Sequence, residues 1–345
     1  MTLQQFFGIE LPIIQAPMAG VQTHALAVAV SNAGGLGSLP CAMLNVDGVR
    51  AELAAIKAQS DKPFNVNFFC HTPPAPNTEA EARWRATLSP YYQEYGIDAA
   101  SIVAGPGRAP FGAESVELLG EFKPAVVSFH FGLPAADLLA RVKAWGAKII
   151  SSATTVEEAR WLEAQGADAI IAQGVEAGGH RGMFLSTEVT TQVGTFALVP
   201  QIVRAVNVPV IAAGGIADDK GVAAALALGA SGVQIGTAYL LCPEAATTPL
   251  HRAALKSEDA RHTAITNIFT GRPARGIVNR AIRELGPISA VAPTFPLAAS
   301  AMAPLRAKAE SGGSPDFSPL WCGQNASGCK EIPAAQLTRE LAGVV

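Results

Sequence analysis

The chain has 345 residues with 25 basic and 28 acidic side chains, a formal charge of −3, and 15% charged residues against about 25% in an ordinary soluble protein. It therefore offers no basic footprint to a nucleic acid, and its high apolar content with low net charge excludes a disordered chain. Hydrophobic residues at 49% with aromatics at 6% describe a core of small aliphatic side chains in a globular α/β protein.

The opening segment, Met1 to Pro12, has neither Lys nor Arg and no long apolar run, so it does not read as a secretory leader. Pro12–Ala16 is the first buried-strand candidate, followed by Gly35–Leu39. Both lie in Leu11–Val46, which has no charged residue, yet Pro12, Pro17, Gly34, Gly35, Gly37 and Pro40 break it too often for a membrane span. Gly221–Glu244 is charge-free up to its last residue and reads the same way, interrupted by Gly229, Gly232 and Gly236. Phe64–Phe69 is the third strand candidate, and Ala125–His130, Lys148–Ser152, Asp168–Gln173, Pro209–Ala213 and Gly232–Thr237 complete a set of eight.

Three of these strands are entered through one kind of joint. At Gly146-Ala147, Gly166-Ala167 and Gly229-Ala230, an amphipathic stretch stops at a glycine suited to a left-handed helix C-terminus, and a short apolar run follows. Thr155-Val156-Glu157-Glu158 reads as a capping box opening the helix that Gly166 closes, and Asp218 or Asp219 caps the one that Gly229 closes. Eight such units predict a (β/α)8 TIM barrel. The doubly wound open sheet is disfavoured by the count and by the lack of an early G-x-G-x-x-G turn. Residues 1–240 are expected to form the barrel, with an inserted helical segment at about 70–112 around Trp84 to Tyr95. Residues 241–345 lack further βα rhythm and are expected as a mostly helical cap whose end packs back on the barrel. Both additions would cover a pocket at the strands' C-terminal ends.

The strand ends carry the chemistry. Ala213-Gly214-Gly215-Ile216-Ala217-Asp218 follows the seventh strand and Gln234-Ile235-Gly236-Thr237 ends the eighth, where barrels often bind phosphate. Taken alone, these glycines fit tight turns equally well. The sixth strand runs into Gln173-Gly174-Val175-Glu176-Ala177-Gly178-Gly179-His180-Arg181-Gly182, where His180 can move a proton or bond an anion. Glu176 and Arg181 read as a solvated or structural pair. Asn67 and Gln173 offer amides suited either to a heteroaromatic edge or to tying strand ends together. His130, ending the fourth strand, is a substrate-pocket candidate or a core histidine satisfied by backbone. Five scattered cysteines without a C-x-x-C pair fit neither a disulfide framework nor a zinc site, so no metal is expected and the compartment is read as cytoplasmic.

The segment Pro12–Gly20, the Gly174–Gly182 loop, Ala213–Asp218 with Gln234–Thr237, Phe269-Thr270-Gly271-Arg272-Pro273-Ala274-Arg275 and Trp321-Cys322-Gly323-Gln324 resemble the nitronate monooxygenases, formerly called 2-nitropropane dioxygenases, and within them class I. The resemblance runs nearly end to end. It implies a non-covalently bound FMN and oxidation of an alkyl nitronate by O2, through a flavin semiquinone, to a carbonyl compound and nitrite, a nitroalkane detoxification. It places Pro17, Met18 and Ala19 along the flavin ring and Asn67, Gln173, Gly178 and Gly179 against the flavin. It assigns Gly214, Gly215, Gln234, Ile235, Gly236 and Thr237 to the ribityl phosphate. His180 matches the family's catalytic histidine, which would orient and neutralise the nitronate or take an α-proton from a neutral nitroalkane. The implied partners are a small nitronate and O2, with no nucleic acid or membrane, and a monomer or homodimer.

One departure stands out. Members associated with propionate 3-nitronate carry Y-P-x-x-Y-x-x-x-K, suited to gripping a carboxylate, whereas this chain has Phe295-Pro296-Leu297-Ala298-Ala299-Ser300-Ala301-Met302-Ala303. Losing a charge-assisted partner costs about 1.5–3 kcal/mol, so a more apolar nitronate is expected. Competing readings are an NAD(P)H-dependent FMN reductase of a quinone or enoyl thioester, a non-catalytic flavin-binding protein, and a flavin-free phosphosugar barrel.

Overall fold

The computed structural model describes residues 2–102 and 108–344. Met1, Val345 and, within the segment expected as an insertion, residues 103–107 lie outside the described residues. Its strands are β1 (Ile13–Gln15), β2 (Gly37–Pro40), β3 (Phe64–Phe69), β4 (Val126–His130), β5 (Lys148–Ala153), β6 (Ala169–Gln173), β7 (Gly179–His180), β8 (Val210–Ala213), β9 (Gly232–Ile235), β10 (Thr263–Thr266) and β11 (Ala274–Ile277). Eight of them pair in parallel in the order β1-β9-β8-β6-β5-β4-β3-β2. The ends of that sheet meet where Gln15 N donates to Leu36 O and Leu36 N to Ile13 O, both at 2.9 Å. That closure makes a TIM barrel and rules out the open sheet.

The helix-to-strand joints form as their residues dictate. Gly146, Gly166 and Gly229 take φ of +89°, +95° and +97°, a left-handed turn that costs a Cβ-bearing residue. Asp218 is the N-cap of the helix Asp219–Ala227, its carboxylate accepting from Gly221 N at 2.8 Å. The capping box at Thr155 is only half made. Thr155 accepts from Glu158 N at 3.2 Å, but the Glu158 carboxylate turns inward. It is buried and accepts from Thr154 N at 2.7 Å, Thr154 Oγ1 at 2.8 Å, Phe184 N at 2.6 Å and Leu185 N at 3.3 Å. A distant loop with unpaired N–H groups out-competes the local cap. Glu158→Ala orphans these donors, and with each bond to a charged acceptor worth about 1.5–3 kcal/mol, a loss of ~3 kcal/mol or more is expected in urea unfolding. A loss below ~1 kcal/mol would show that water replaces the carboxylate.

The barrel's lower end is plugged by a helix the sequence does not announce, Leu3–Phe7, only five residues long. Its Leu3 and Phe7 pack with Ile14, Val126, Ile150 and Ile211 inside the barrel. At the upper end, the helix Thr78–Glu94 of the insertion lies on the helix Ala298–Ser311. Trp84 Nε1 donates to Ala298 O at 3.3 Å and Tyr92 OH to Ala301 O at 2.8 Å, fixing the two together. The region after Leu240, expected as mostly helical, has helices over less than half of its length and is otherwise loops and two strands: β10 and β11 pair antiparallel and β11 pairs with β7. Runs of four residues whose partner is two residues long leave no local pattern to read. The helix Ala334–Leu341 packs back near the helix His24–Asn32, with Tyr239 OH 2.9 Å from Thr338 Oγ1. Among the described residues, no helix is long and apolar enough to cross a membrane.

Candidate active site

Above the strands' C-terminal ends lies a cavity of about 350 Å³, within the ~300–1,000 Å³ usual for small-molecule sites. Every site residue singled out from the sequence lines it, from Pro17, Met18 and Ala19 after β1 to Gln234, Ile235, Gly236 and Thr237 at β9.

One end of the cavity is backbone. Gly214 and Gly215 take φ of +117° and +73° in succession, a turn that directs main-chain groups rather than side chains at the cavity. Among the described residues, the amides of Gly215, Gly236 and Thr237 donate to no other group. The Gln234 Oε1 atom is buried and unpartnered. The segment after Trp321 closes this end: Gly323 N donates to Thr237 Oγ1 at 3.0 Å and Asn325 Nδ2 to Gly215 O at 3.1 Å. Gly178 lies so close to that segment that an added Cβ would stand 2.6 Å from Cys322 C and Gly323 N.

The middle of the cavity is held by amides. Gln15 and Gln22, which sequence reasoning missed, brace the turn after β1. Gln15 Nε2 donates to Gln22 Oε1 at 2.9 Å, and Met18 N to the same oxygen at 2.7 Å. Asn67 Nδ2 donates to Ser128 Oγ at 2.9 Å, a tie between β3 and β4 that leaves Oδ1 as the atom offered to a ligand. Both ends of the Gln173 amide are taken: Nε2 donates to His180 O at 3.0 Å, and Oε1 accepts from Gly182 N at 2.7 Å. Gln173 thus holds the His180 loop. Glu176 and Arg181, expected as a pair, are separate supports. Glu176 accepts from Thr195 N at 2.8 Å and Thr195 Oγ1 at 2.7 Å. Arg181, fully buried, donates from Nε to Gln192 Oε1 and from Nη2 to Gln173 O, both at 2.8 Å.

His180 sits on β7, registered opposite Ala274 of β11. Its carbonyl also accepts from His130 Nε2 at 3.1 Å, while His130 Nδ1 lies 3.1 Å from Ser152 Oγ. His130 is therefore a wall of the cavity whose two ring nitrogens are already engaged. The His180 Nε2 atom lies 2.9 Å from Thr270 Oγ1, and Nδ1 has no partner among the described residues. Around the imidazole stand the rings of Phe295 at 5.5 Å, Trp321 at 5.6 Å, and Phe69 and Phe131 at 6.0 Å. Burial in this apolar shell drives the His180 pKa well below 6.5, and the charge of Arg108 adds to it. His130 is lowered to about 3, chiefly by burial, against the hydrogen bond to His180. Both rings are neutral at pH 7. Thr270, the ring shell and Arg108 were not found as site residues; Thr270 and Trp321 lie in segments that carry the family resemblance, which was the signal that could have pointed to them.

A family model described as nitronate monooxygenase matches residues 1–343. A nitronate monooxygenase of Paraburkholderia phytofirmans is 44% identical over 98% of this chain and 93% of its own length. One of Pseudomonas aeruginosa is 43% identical over 98% and 97%. Among solved structures, nitroalkane oxidase from Streptomyces ansochromogenes superposes with a TM-score of 0.90 at 38% identity, covering 98% of this chain and 97% of that one. FabK from Thermotoga maritima gives 0.73 at 31%, covering 99% and 95%. By the length of the family match and the near-complete coverage of these relatives, the chain belongs to the nitronate monooxygenase family of oxidoreductases.

Proposed function

We propose that this protein binds FMN and oxidises alkyl nitronates with O2 to a carbonyl compound and nitrite. The observation that carries this reading is His180, a neutral imidazole with one nitrogen anchored and the other unpartnered, in the same cavity as an amide-lined anion cradle. The cradle fits FMN: the unpaired amides of Gly215, Gly236 and Thr237 suit its phosphate, and Gln234 Oε1 is an acceptor lacking a donor such as a ribityl hydroxyl. Pro17, Met18, Ala19, Asn67, Gly178, Gly179 and Gly214 would border the rest. When bound, FMN supplies the electron acceptance that no side chain here provides.

The protein's own part is positioning and charge. Gln173 and His130 clamp the His180 carbonyl, so the ring is located by backbone as well as by Thr270. Thr270 can give or take a hydrogen bond. His180 therefore presents at Nδ1 either a lone pair, for the α-proton of a neutral nitroalkane, or an N–H, for a nitronate oxygen. A base whose pKa lies well below the working pH is weak, so the ready-made anion is the better substrate. Phe69, Phe131 and Phe295 keep water from that end.

Aerobic turnover of propyl-2-nitronate should release nitrite as O2 is consumed, and neither should change without nitronate. Nitronate-independent O2 uptake with no nitrite would contradict the proposal. The pH dependence is a second check. His180 is already neutral at its ordinary pKa of 6.5, so kcat/KM should show no acid limb there and should fall only at clearly lower pH. An inflection between about 6 and 7 would mean that His180 is solvated and titrates normally.

A further inference from the structure

We infer that Arg108 is the counter-ion of the substrate: its guanidinium stands in the cavity to pair with an oxyanion, either the nitronate group or a second acidic group on the same molecule. The inference rests on the proposed function only in taking the substrate to be anionic.

Arg108 lines the cavity that holds His180. Its carbonyl lies 2.9 Å from Nε2 of the buried His71, which fixes the chain at this point. Its guanidinium carbon lies 5.5 Å from the centroid of Phe295, the ring that also stands 5.5 Å from His180. Arg108 and His180 thus flank one aromatic wall. Among the described residues no carboxylate acts on Arg108, and burial alone accounts for the lowering of its pKa. The nearby arginines have other partners, although Nε of Arg272 and Nη1 of Arg181 are buried without one. Arg306 pairs with Glu310 at 2.8 Å, Arg272 donates to Met183 O and lies 3.7 Å over Phe131, and Arg181 is held by Gln192 and Gln173. A largely buried cation without an acid is costly until an anion arrives.

Among the described residues that line the cavity, the other cation, Arg306, already has its carboxylate. His180 and His130 are neutral, so neither balances a negative charge. Phe295, Ala299 and Ala303 stand where the Tyr, Tyr and Lys of the carboxylate-gripping pattern would be, and Ala299 and Ala303 line the cavity as apolar wall. The cation comes instead from the inserted segment, with the Arg108 guanidinium beside Phe295 itself. Lack of that pattern therefore does not make the substrate end blind to charge.

The test uses the flavin-loaded protein and its Arg108→Met and Arg108→Lys variants, with nitrate as a planar oxyanion followed by calorimetry. Nitrate affinity should fall roughly 10- to 100-fold in the Met variant and be partly kept in the Lys variant. A Kd within twofold of the parent's in the Met variant overturns the inference. Kinetics then separate the sources. An equal loss of kcat/KM for propyl-2-nitronate and propionate 3-nitronate assigns Arg108 to the nitronate group, and a loss for the second alone assigns it to the carboxylate. A loss as large for neutral nitroethane would show a structural role and overturn the inference. If the parent oxidises no nitronate while nitrate binding still depends on Arg108, the proposed function fails and the oxyanion site stands.

Discussion

His180→Asn is expected to leave FMN content unchanged while lowering kcat/KM for nitroethane by roughly 10²–10⁴-fold, the usual worth of a positioned proton acceptor. The cradle amides at Gly215, Gly236 and Thr237 do not involve the His180 side chain. The clamps from Gln173 and His130 act on its carbonyl, which the variant keeps. What goes is the nitrogen that takes the proton, since an Asn amide is not a base at neutral pH. With a preformed nitronate there is no proton to remove, and an Asn N–H can still reach an oxyanion, so the loss should be smaller. Unchanged kcat/KM for nitroethane would remove His180 from the chemistry. Loss of FMN would make it a structural residue.

Gly178→Ala is expected to yield a folded protein that has lost FMN, with Kd raised roughly 100-fold or more. The new Cβ would lie 2.6 Å from Cys322 C and Gly323 N, both backbone atoms that no rotamer change can move aside. Relief requires the Gly178 loop or the segment beginning at Trp321 to shift. That segment is what holds Thr237 through Gly323 N and Gly215 through Asn325 Nδ2. The overlap is thus transmitted to both sides of the cradle. Gly120→Ala, on the helix Ala113–Phe122 with nothing within 4 Å of its added Cβ, is the control and should keep full FMN. Stoichiometric FMN in Gly178→Ala after gel filtration would show that the cradle does not depend on this closure.

The barrel was legible because its signals are local. A glycine after an amphipathic stretch, then a short apolar run, specifies helix end and strand start within about six residues, as at Gly146, Gly166 and Gly229. The rule that barrels act at strand C-termini then places Asn67, His130, Gln173 and Gly214 to Thr237 around one mouth. What failed was long-range. Thr270 reaches His180 across 90 positions, and Phe69, Phe131, Phe295 and Trp321 meet around it from four separate segments. Glu158 satisfied every local sign of a capping box and still turned to Phe184 and Leu185. Nothing in the sequence around Arg108 singles it out, and only its place in the lining of the cavity gives it a site to serve.

On the proposed function, electrons reach this cavity from a nitronate and not from a nicotinamide. The most direct measurement mixes the flavin-loaded protein without oxygen, first with propyl-2-nitronate and separately with NADH, and follows the flavin absorbance. The nitronate is expected to give a fast change, reversed on admitting O2 with release of nitrite, and NADH to give none. Rapid bleaching by NADH with no response to the nitronate would contradict the proposed function and move the protein to the flavin reductases.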